Sequence, residues 1–172
     1  MVMTETVGST PPVNDEAGRR RVLPWVGVAC RLVLAGVWIV AGGLKLPDLT
    51  ESVRAVQAYK LLPTGLASAV GYGLPPLEVA IGLLLLAGLF TRYAAAVSGL
   101  LQIAFIIGIS SAWARGMSID CGCFGNGGEL AAGQSPNYFW EILRDVGLLL
   151  ASAILVLRPR TPLSVDRWIR GA

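Results

Sequence analysis

The sequence contains no histidine, and charged residues make up only 15% of its 172 positions. Without histidine, imidazole general bases, haem ligation through histidine and mixed Cys/His zinc sites are all excluded. Soluble domains average about 25% charged residues, so the shortage of charge, together with a mean hydropathy of +0.63, indicates a membrane protein. The net charge of +3 comes from basic residues that flank apolar runs, which is a membrane-topology pattern and argues against a nucleic-acid partner.

Four apolar runs are long enough to cross a bilayer, which takes about 20 residues. The sequence therefore predicts an all-α membrane protein whose four transmembrane helices form a bundle. Pro75 and Pro76 lie inside the second run and predict a kink or a break, because proline removes helix hydrogen bonds. Ser135 and Pro136 suit the N-cap and first position of the fourth helix. The predicted spans cover approximately residues 25–44, 67–90, 93–113 and 135–157.

Two polar tails and one short amphipathic segment flank these spans. Residues 1–22 predict a disordered cytoplasmic tail, 23–158 the four-helix membrane domain, and 159–172 a basic cytoplasmic tail. Asp48 and Glu51 fit a capping box, which predicts a short helix on the membrane surface between the first two spans, with an ordinary polar loop as the alternative. Its apolar positions at helical spacing are Leu49, Val53, Val56 and Tyr59.

The distribution of basic residues predicts that both termini lie in the cytoplasm. With that orientation, eight arginines lie on the cytoplasmic side and four basic residues on the other, in a bacterial inner or plasma membrane. The cytoplasmic set is Arg19, Arg20, Arg21, Arg92, Arg158, Arg160, Arg167 and Arg170, and the opposite set is Lys45, Arg54, Lys60 and Arg115.

Cysteine is also scarce, but two of the three cysteines are separated by a single glycine. Cys121 and Cys123 lie in the loop before the fourth span, on the side where disulfides persist. A disulfide across so short a ring is strained, and strained exposed disulfides are the more oxidising ones. Asp120 is a candidate proton relay beside the pair. A redox-active pair, a structural disulfide and a copper(I)-binding pair are the three interpretations, and Cys30 is too distant to join them.

Charged residues inside the predicted spans should face the bundle interior and have partners. Arg31 and Glu78 fall in the middle third of the membrane and are candidate partners for each other, with Gln102 at similar depth. In the last span, Arg144 and Asp145 share a helix with Glu141. Either these charges fix helix register, or they bind a ligand beneath the cysteine loop.

Aromatic residues cluster at the same end of the predicted bundle. Trp113, Tyr138, Phe139 and Trp140 predict an aromatic belt at the membrane interface. A site in which an aromatic ring stacks on a ligand is the alternative.

Several of these motifs resemble the MauE family of methylamine-utilisation proteins, within the wider DoxX-like group. The resemblance covers approximately residues 25–157. It rests on Asp-Cys-Gly-Cys-Phe-Gly at 120–125, Gly-Gly-Leu-Lys at 42–45 with Arg31 upstream, Leu-Pro-Pro-Leu-Glu-Val-Ala-Ile-Gly at 74–82, and Leu-Arg-Asp at 143–145.

The resemblance implies a membrane protein of the methylamine metabolic process that acts on disulfides in an exported partner. We therefore expect an oxidoreductase, or a subunit of one, in which Cys121 and Cys123 exchange with a thioredoxin-like or disulfide-containing protein. Cys121, Cys123, Arg144 and Asp120 would be catalytic, and electrons would pass to a quinone. The expected quinone-binding residues are Arg144, Asp145, Glu78, Arg31 and Trp140. The alternative is a non-enzymatic assembly factor or small permease with a structural cysteine pair.

Overall fold

The computed structural model describes residues 15–120, 128–129, 137–158 and 164, and in them the chain is almost entirely helical. Five helices and one pair of two-residue strands follow in the order α1, α2, α3, α4, β1, β2 and α5. Their bounds are Asp15–Lys45, Leu49–Ala58, Thr64–Ala87, Thr91–Ala114, Ile119–Asp120, Gly128–Glu129 and Tyr138–Leu157.

Among the described residues, three helical segments are long and apolar enough to cross a membrane: Pro24–Lys45, Thr64–Ala87 and Thr91–Ala114. They correspond to the first three predicted spans. The fourth predicted span is α5, which has 20 residues and carries Glu141, Arg144 and Asp145 in its first half. The apolar residues of α5 are therefore concentrated in its second half, towards Leu157. The predicted start of this span at Ser135 and Pro136 lies outside the described residues, and the helix begins at Tyr138 after the N-cap Asn137.

The helices pack as two close pairs, α1 against α3 and α4 against α5, with further contacts of α1 with α5 and of α3 with α4. Glycine allows the closest approach of α1 and α3, since a Cβ at Gly42 would lie 2.7 Å from the carbonyl oxygen of Pro75. Helix α3 continues through Pro75 and Pro76 to Ala87, so the predicted break does not occur there. The shared apolar core includes Leu34, Trp38, Ile81, Leu85, Ala95 and Leu155.

The two ends of the bundle differ in the connections that they carry. The loop end carries the segment from Arg115 to Asn137 between α4 and α5. The turn end carries the tight connection between α3 and α4, where Gly88 has a φ of +67° and its N–H bonds to the carbonyls of Leu84 and Leu85. A left-handed conformation of this kind favours glycine at the end of a helix.

Helix α2 confirms the predicted capping of the segment between the first two spans. The Asp48 carboxylate accepts hydrogen bonds from the N–H groups of Thr50 (3.0 Å) and Glu51 (3.2 Å) and from the Thr50 hydroxyl. These bonds, with the Thr50 hydroxyl contributing most, lower the pKa of Asp48. The carboxylate therefore keeps its capping form over the neutral and mildly acidic range.

One face of α2 packs against α3, and the predicted position of this helix on the membrane surface stays a prediction. Ser52, Val53 and Ala55 are buried on this helix. Val53 sits so close to Gly71 of α3 that a Cβ there would lie 2.5 Å from the Val53 Cα. Sequence periodicity identifies an apolar face, but lipid and a neighbouring helix both satisfy it.

Candidate functional site

The cysteine motif begins directly after β1 at the loop end. Strands β1 and β2 pair antiparallel, with Ile119 opposite Glu129 and Asp120 opposite Gly128. Residues 121–127 connect the two strands, so the predicted catalytic residues Cys121 and Cys123 lie outside the described residues. Asp120 is the last residue of β1. The pairing brings the two ends of the connecting segment together.

Tyr138, the first residue of α5, ties this hairpin to the helix bundle. Its hydroxyl accepts a hydrogen bond from the Ile119 N–H (3.0 Å) and donates one to the Met117 carbonyl (2.5 Å). Its ring lies 6.3 Å from that of Trp113, and the residue is only 5% exposed. Tyr138 therefore does not belong to the predicted aromatic belt, because it is buried against the loop that it anchors.

The remaining aromatic residues at the loop end face outward. Trp113, Phe139 and Trp140 are all exposed, and the rings of Phe139 and Trp140 meet edge to face at 5.5 Å. This exposure suits an aromatic belt. Trp140 is 66% exposed. It does not line the cavity next to Glu78, Arg144 and Asp145, so its position does not support its predicted role in holding a cofactor.

Arg115 connects the loop end to α2. Its guanidinium donates to the carbonyls of Tyr59 (2.5 Å) and Ser111 (3.1 Å). Tyr59 in turn packs with Ile109, Ala112, Ile119 and Tyr138 in a small apolar cluster. In the sequence, Arg115 is only one of the basic residues that predict membrane orientation. No residue adjacent to it in the chain indicates a partner 56 residues away.

Glu78 forms a buried ion pair with Lys45, and not with Arg31 as predicted. The Lys45 Nζ lies 2.8 Å from Oε1 and 3.0 Å from Oε2 of Glu78, and both side chains are at least nine-tenths buried. Arg31 lies 14 residues before Lys45, about 21 Å along α1. It packs instead at the turn end, where a side chain at Gly88 would collide with its guanidinium. The prediction failed because equal estimated depth does not determine the register between two helices.

Arg144 and Asp145 form the second ion pair of the interior. Both the Nε and the Nη2 of Arg144 lie 2.9 Å from Oδ1 of Asp145. Asp145 is 2% exposed, whereas the Arg144 side chain is 29% exposed. The other carboxylate oxygen of Asp145, Oδ2, is buried and accepts no hydrogen bond from the described residues.

Four helices bring the predicted residues Glu78, Arg144 and Asp145 together around one cavity. The cavity has a volume of about 20 Å³, measured as the space that the centre of a water molecule can occupy. This volume is enough to hold one water molecule. Arg31 lies away from this cavity. The cavity is lined by Val37, Trp38, Ala41, Glu78, Gln102, Phe105, Arg144, Asp145 and Leu148. Among the described residues, no group of three cysteine or acidic side chains is arranged to hold a metal ion.

The model of the family described as Methylamine utilisation protein MauE matches residues 23–158 of this chain. The chain belongs to the MauE family. A methylamine utilization protein MauE from Paracoccus denitrificans is 31% identical to it over 145 residues, which is 84% of this chain and 74% of that protein. No solved structure matches the chain.

The MauE match contains every residue of the candidate site. It extends over the membrane helices, the cavity, both ion pairs and the Cys-Gly-Cys motif, and it leaves residues 1–22 and 159–172 outside. The site is therefore part of the region that this chain shares with the MauE family, whereas the two tails are not.

Proposed function

We propose that this MauE-family protein is a membrane thiol–disulfide redox protein that matures a disulfide-containing partner in methylamine utilisation. The observation that supports the proposal is the position of the motif. Cys121 follows β1 directly, within the family-matched region, and the hairpin that carries the motif is tied to α5 by the Tyr138 hydroxyl. A cysteine motif that directly follows an anchored strand suits exchange with another protein, which needs exposure more than a deep pocket.

The proposed reaction is a two-electron exchange of one disulfide for another. A partner thiolate attacks one sulfur of the Cys121–Cys123 disulfide, and a mixed disulfide forms while the other cysteine leaves as a thiolate. The second partner thiolate then attacks the mixed disulfide. The partner becomes oxidised to a disulfide, and the Cys121/Cys123 pair becomes a dithiol. Asp120, next to Cys121 in the sequence, is proposed to accept and return the thiol proton.

Reoxidation of the dithiol transfers two electrons and two protons to an acceptor, for which we propose a membrane quinone on the basis of the resemblance to DoxX-like proteins. Arg144 and Gln102 offer hydrogen-bond donors that suit quinone carbonyls. The cavity volume of about 20 Å³, which suffices for a water molecule, is nevertheless too small for a quinone ring. The cavity therefore does not fit a quinone.

We further propose that α5 is the fourth span and that the loop end faces the extracytoplasmic side. Asp145 is buried and paired with Arg144, so these two charges of α5 do not prevent its insertion. Lys45 is buried in an ion pair and no longer counts as a loop charge. Without Lys45, eight basic residues lie on the proposed cytoplasmic side and three on the other, which supports cytoplasmic termini in a bacterial inner membrane.

A non-enzymatic assembly factor is the second candidate. It is favoured by the Lys45–Glu78 and Arg144–Asp145 ion pairs and by the Tyr138 and Arg115 contacts, which connect the elements of the bundle and do not themselves involve a cysteine. In that case the cysteine pair only closes the loop as a structural disulfide.

The redox potential of the cysteine pair distinguishes these two functions. We expect the Cys121/Cys123 pair to have a midpoint potential well above the roughly −300 mV below which structural disulfides lie. The measurement is a redox titration with thiol labelling in a Cys30→Ser background, so that only the pair titrates. A potential below that limit would favour the assembly factor.

Thiol labelling of intact cells tests the proposed orientation. After mild reduction, a membrane-impermeant maleimide should label Cys121 and Cys123 from outside and leave Cys30 unlabelled, because Cys30 lies within α1. The Cys121→Ser/Cys123→Ser variant is the matched control and should remain unlabelled. Labelling of the pair only after permeabilisation would place the loop end in the cytoplasm.

A further inference from the structure

Ser164 is the one residue beyond Arg158 that the structure describes, and it is buried. Arg158 is the C-cap of α5, and the region matched by the MauE family also ends there. Serine in a polar tail is normally exposed, whereas Ser164 is only 7% exposed. The chain after α5 therefore returns to the protein at this residue.

The surface that Ser164 contacts is Gly88 at the turn end. A Cβ added to Gly88 would lie 2.8 Å from both the Cα and the Cβ of Ser164, which is closer than real Cβ atoms approach other heavy atoms. One of these two atoms belongs to the backbone, so a rotamer change of Ser164 could not relieve the collision. Gly88 thus serves two purposes, since it permits the left-handed turn and leaves space for Ser164.

Arg31 of α1 reaches the same glycine from another side of the bundle. Its guanidinium would also collide with a side chain at Gly88. Arg31 is 3% exposed, and Thr91, the first residue of α4, is completely buried. A guanidinium taken out of water has to be surrounded by protein that compensates its charge or its hydrogen bonds. The chain at Ser164 is part of the protein that covers this end of the bundle.

We propose that the segment after α5 is a C-terminal clasp that docks on Gly88 through Ser164 and closes the turn end over Arg31. The clasp joins the end of α5 to α1 and to the connection between α3 and α4. The occupant of the Gly88 surface is therefore this chain's own C-terminal segment, which lies outside the region shared with the MauE family. The clasp goes beyond the proposed thiol exchange and does not depend on the cysteines.

The clasp also supports the proposal that α5 is the fourth span. Helix α5 begins at Tyr138, which is hydrogen-bonded to Met117 and Ile119 at the loop end. Beyond the helix, Ser164 contacts Gly88 at the turn end. The chain from Tyr138 to Ser164 therefore runs from one end of the bundle to the other.

Thiol labelling at position 164 tests the clasp. Ser164→Cys is introduced into the full chain after the three native cysteines are changed to serine, and its reaction with a maleimide is followed in detergent. The reaction should be roughly tenfold or more slower than at Arg92→Cys, because a buried thiol reacts only when the structure opens locally. Arg92 is exposed and lies at the turn end. Gly88→Ala should raise the rate at position 164 towards that at position 92, because the added methyl group displaces the clasp.

Gly116→Ala is the matched control for backbone strain. Gly116 has a φ of +64°, close to the +67° of Gly88, but a Cβ at Gly116 would have nothing within 4 Å. The rate at position 164 should therefore stay low in this variant. Equal rates at positions 164 and 92 without a glycine change would overturn the proposal. Slow labelling in Gly88→Ala, or the same acceleration in Gly116→Ala, would also overturn it.

Thermal unfolding provides a second measurement that leaves Gly88 unchanged. Removal of residues 159–172 should lower the midpoint of unfolding by several degrees, because it uncovers the Arg31 guanidinium. Removal of residues 2–14, which also lie outside the MauE match, is the control and should leave the midpoint unchanged. Equal midpoints for the full chain and the chain that ends at Arg158 would show that no clasp holds the turn end.

Discussion

The Cys123→Ser variant is expected to capture an exported partner protein as a disulfide-linked adduct. With Cys123 absent, the Cys121 thiolate can attack the disulfide of an oxidised partner, in the reverse of the proposed exchange, so that a mixed disulfide forms while the partner's other sulfur leaves as a thiolate; no second cysteine in the loop is then present to complete the exchange and release the partner. The adduct should be visible by non-reducing electrophoresis and should disappear on reduction. We expect the captured protein to be thioredoxin-like or rich in disulfides.

Several variants define what this trapping result means. Cys121→Ser/Cys123→Ser should capture nothing, and Cys30→Ser should behave like the wild-type protein because Cys30 packs against the core at a distance from the loop. Cys121→Ser belongs in the same experiment, because either cysteine could be the one that the partner attacks. If neither single variant captures a partner and both retain partner oxidation, the pair is not the redox centre and the assembly factor becomes the leading function.

The helices of this fold were predictable because a bilayer imposes a minimum length and a strong apolar bias on each span. The second and third predicted spans differ from α3 and α4 by one to three residues at their ends, whereas α1 begins at Asp15, ten residues before the predicted start of the first span. The capping role of Asp48 was predictable for a similar reason, since an N-cap depends on residues within one turn. Local chemistry and the solvent requirement thus account for the elements that were predicted correctly.

Contacts between elements were much less predictable. Glu78 was assigned to Arg31 from estimated depth, whereas Gly42 lets α1 approach α3 so that Lys45 reaches Glu78. The hydrogen bonds of Tyr138 with Met117 and Ile119 were missed because its aromatic neighbours suggested an interfacial belt. The seven-residue spacing of the buried residues Arg31, Trp38 and Lys45 marks the face of α1 that is turned towards the bundle interior. Hydropathy patterns do not reveal this face, because tryptophan does not count as a polar residue in them.

Loss of either member of the Lys45–Glu78 pair should destabilise the protein strongly. Glu78→Met leaves the Lys45 ammonium buried without its partner, and Lys45→Met leaves the Glu78 carboxylate in the same position. Breaking a buried pair from one side typically costs about 3–5 kcal/mol, whereas replacing both charges by apolar side chains of similar size is often nearly neutral. The Lys45→Met/Glu78→Met variant should therefore recover most of the stability that each single change loses.

The measurements are the amount of protein in the membrane and the midpoint of thermal unfolding in detergent. Arg54→Met, which removes an exposed charge from α2, is the control for a general effect of charge loss and should change neither value much. Arg31→Met/Glu78→Met distinguishes the observed pair from the one that the sequence suggested. It should be no more stable than Glu78→Met, because Arg31 lies near Gly88 at the turn end. Recovery with Arg31 but not with Lys45 would show that the pairing described here is incorrect.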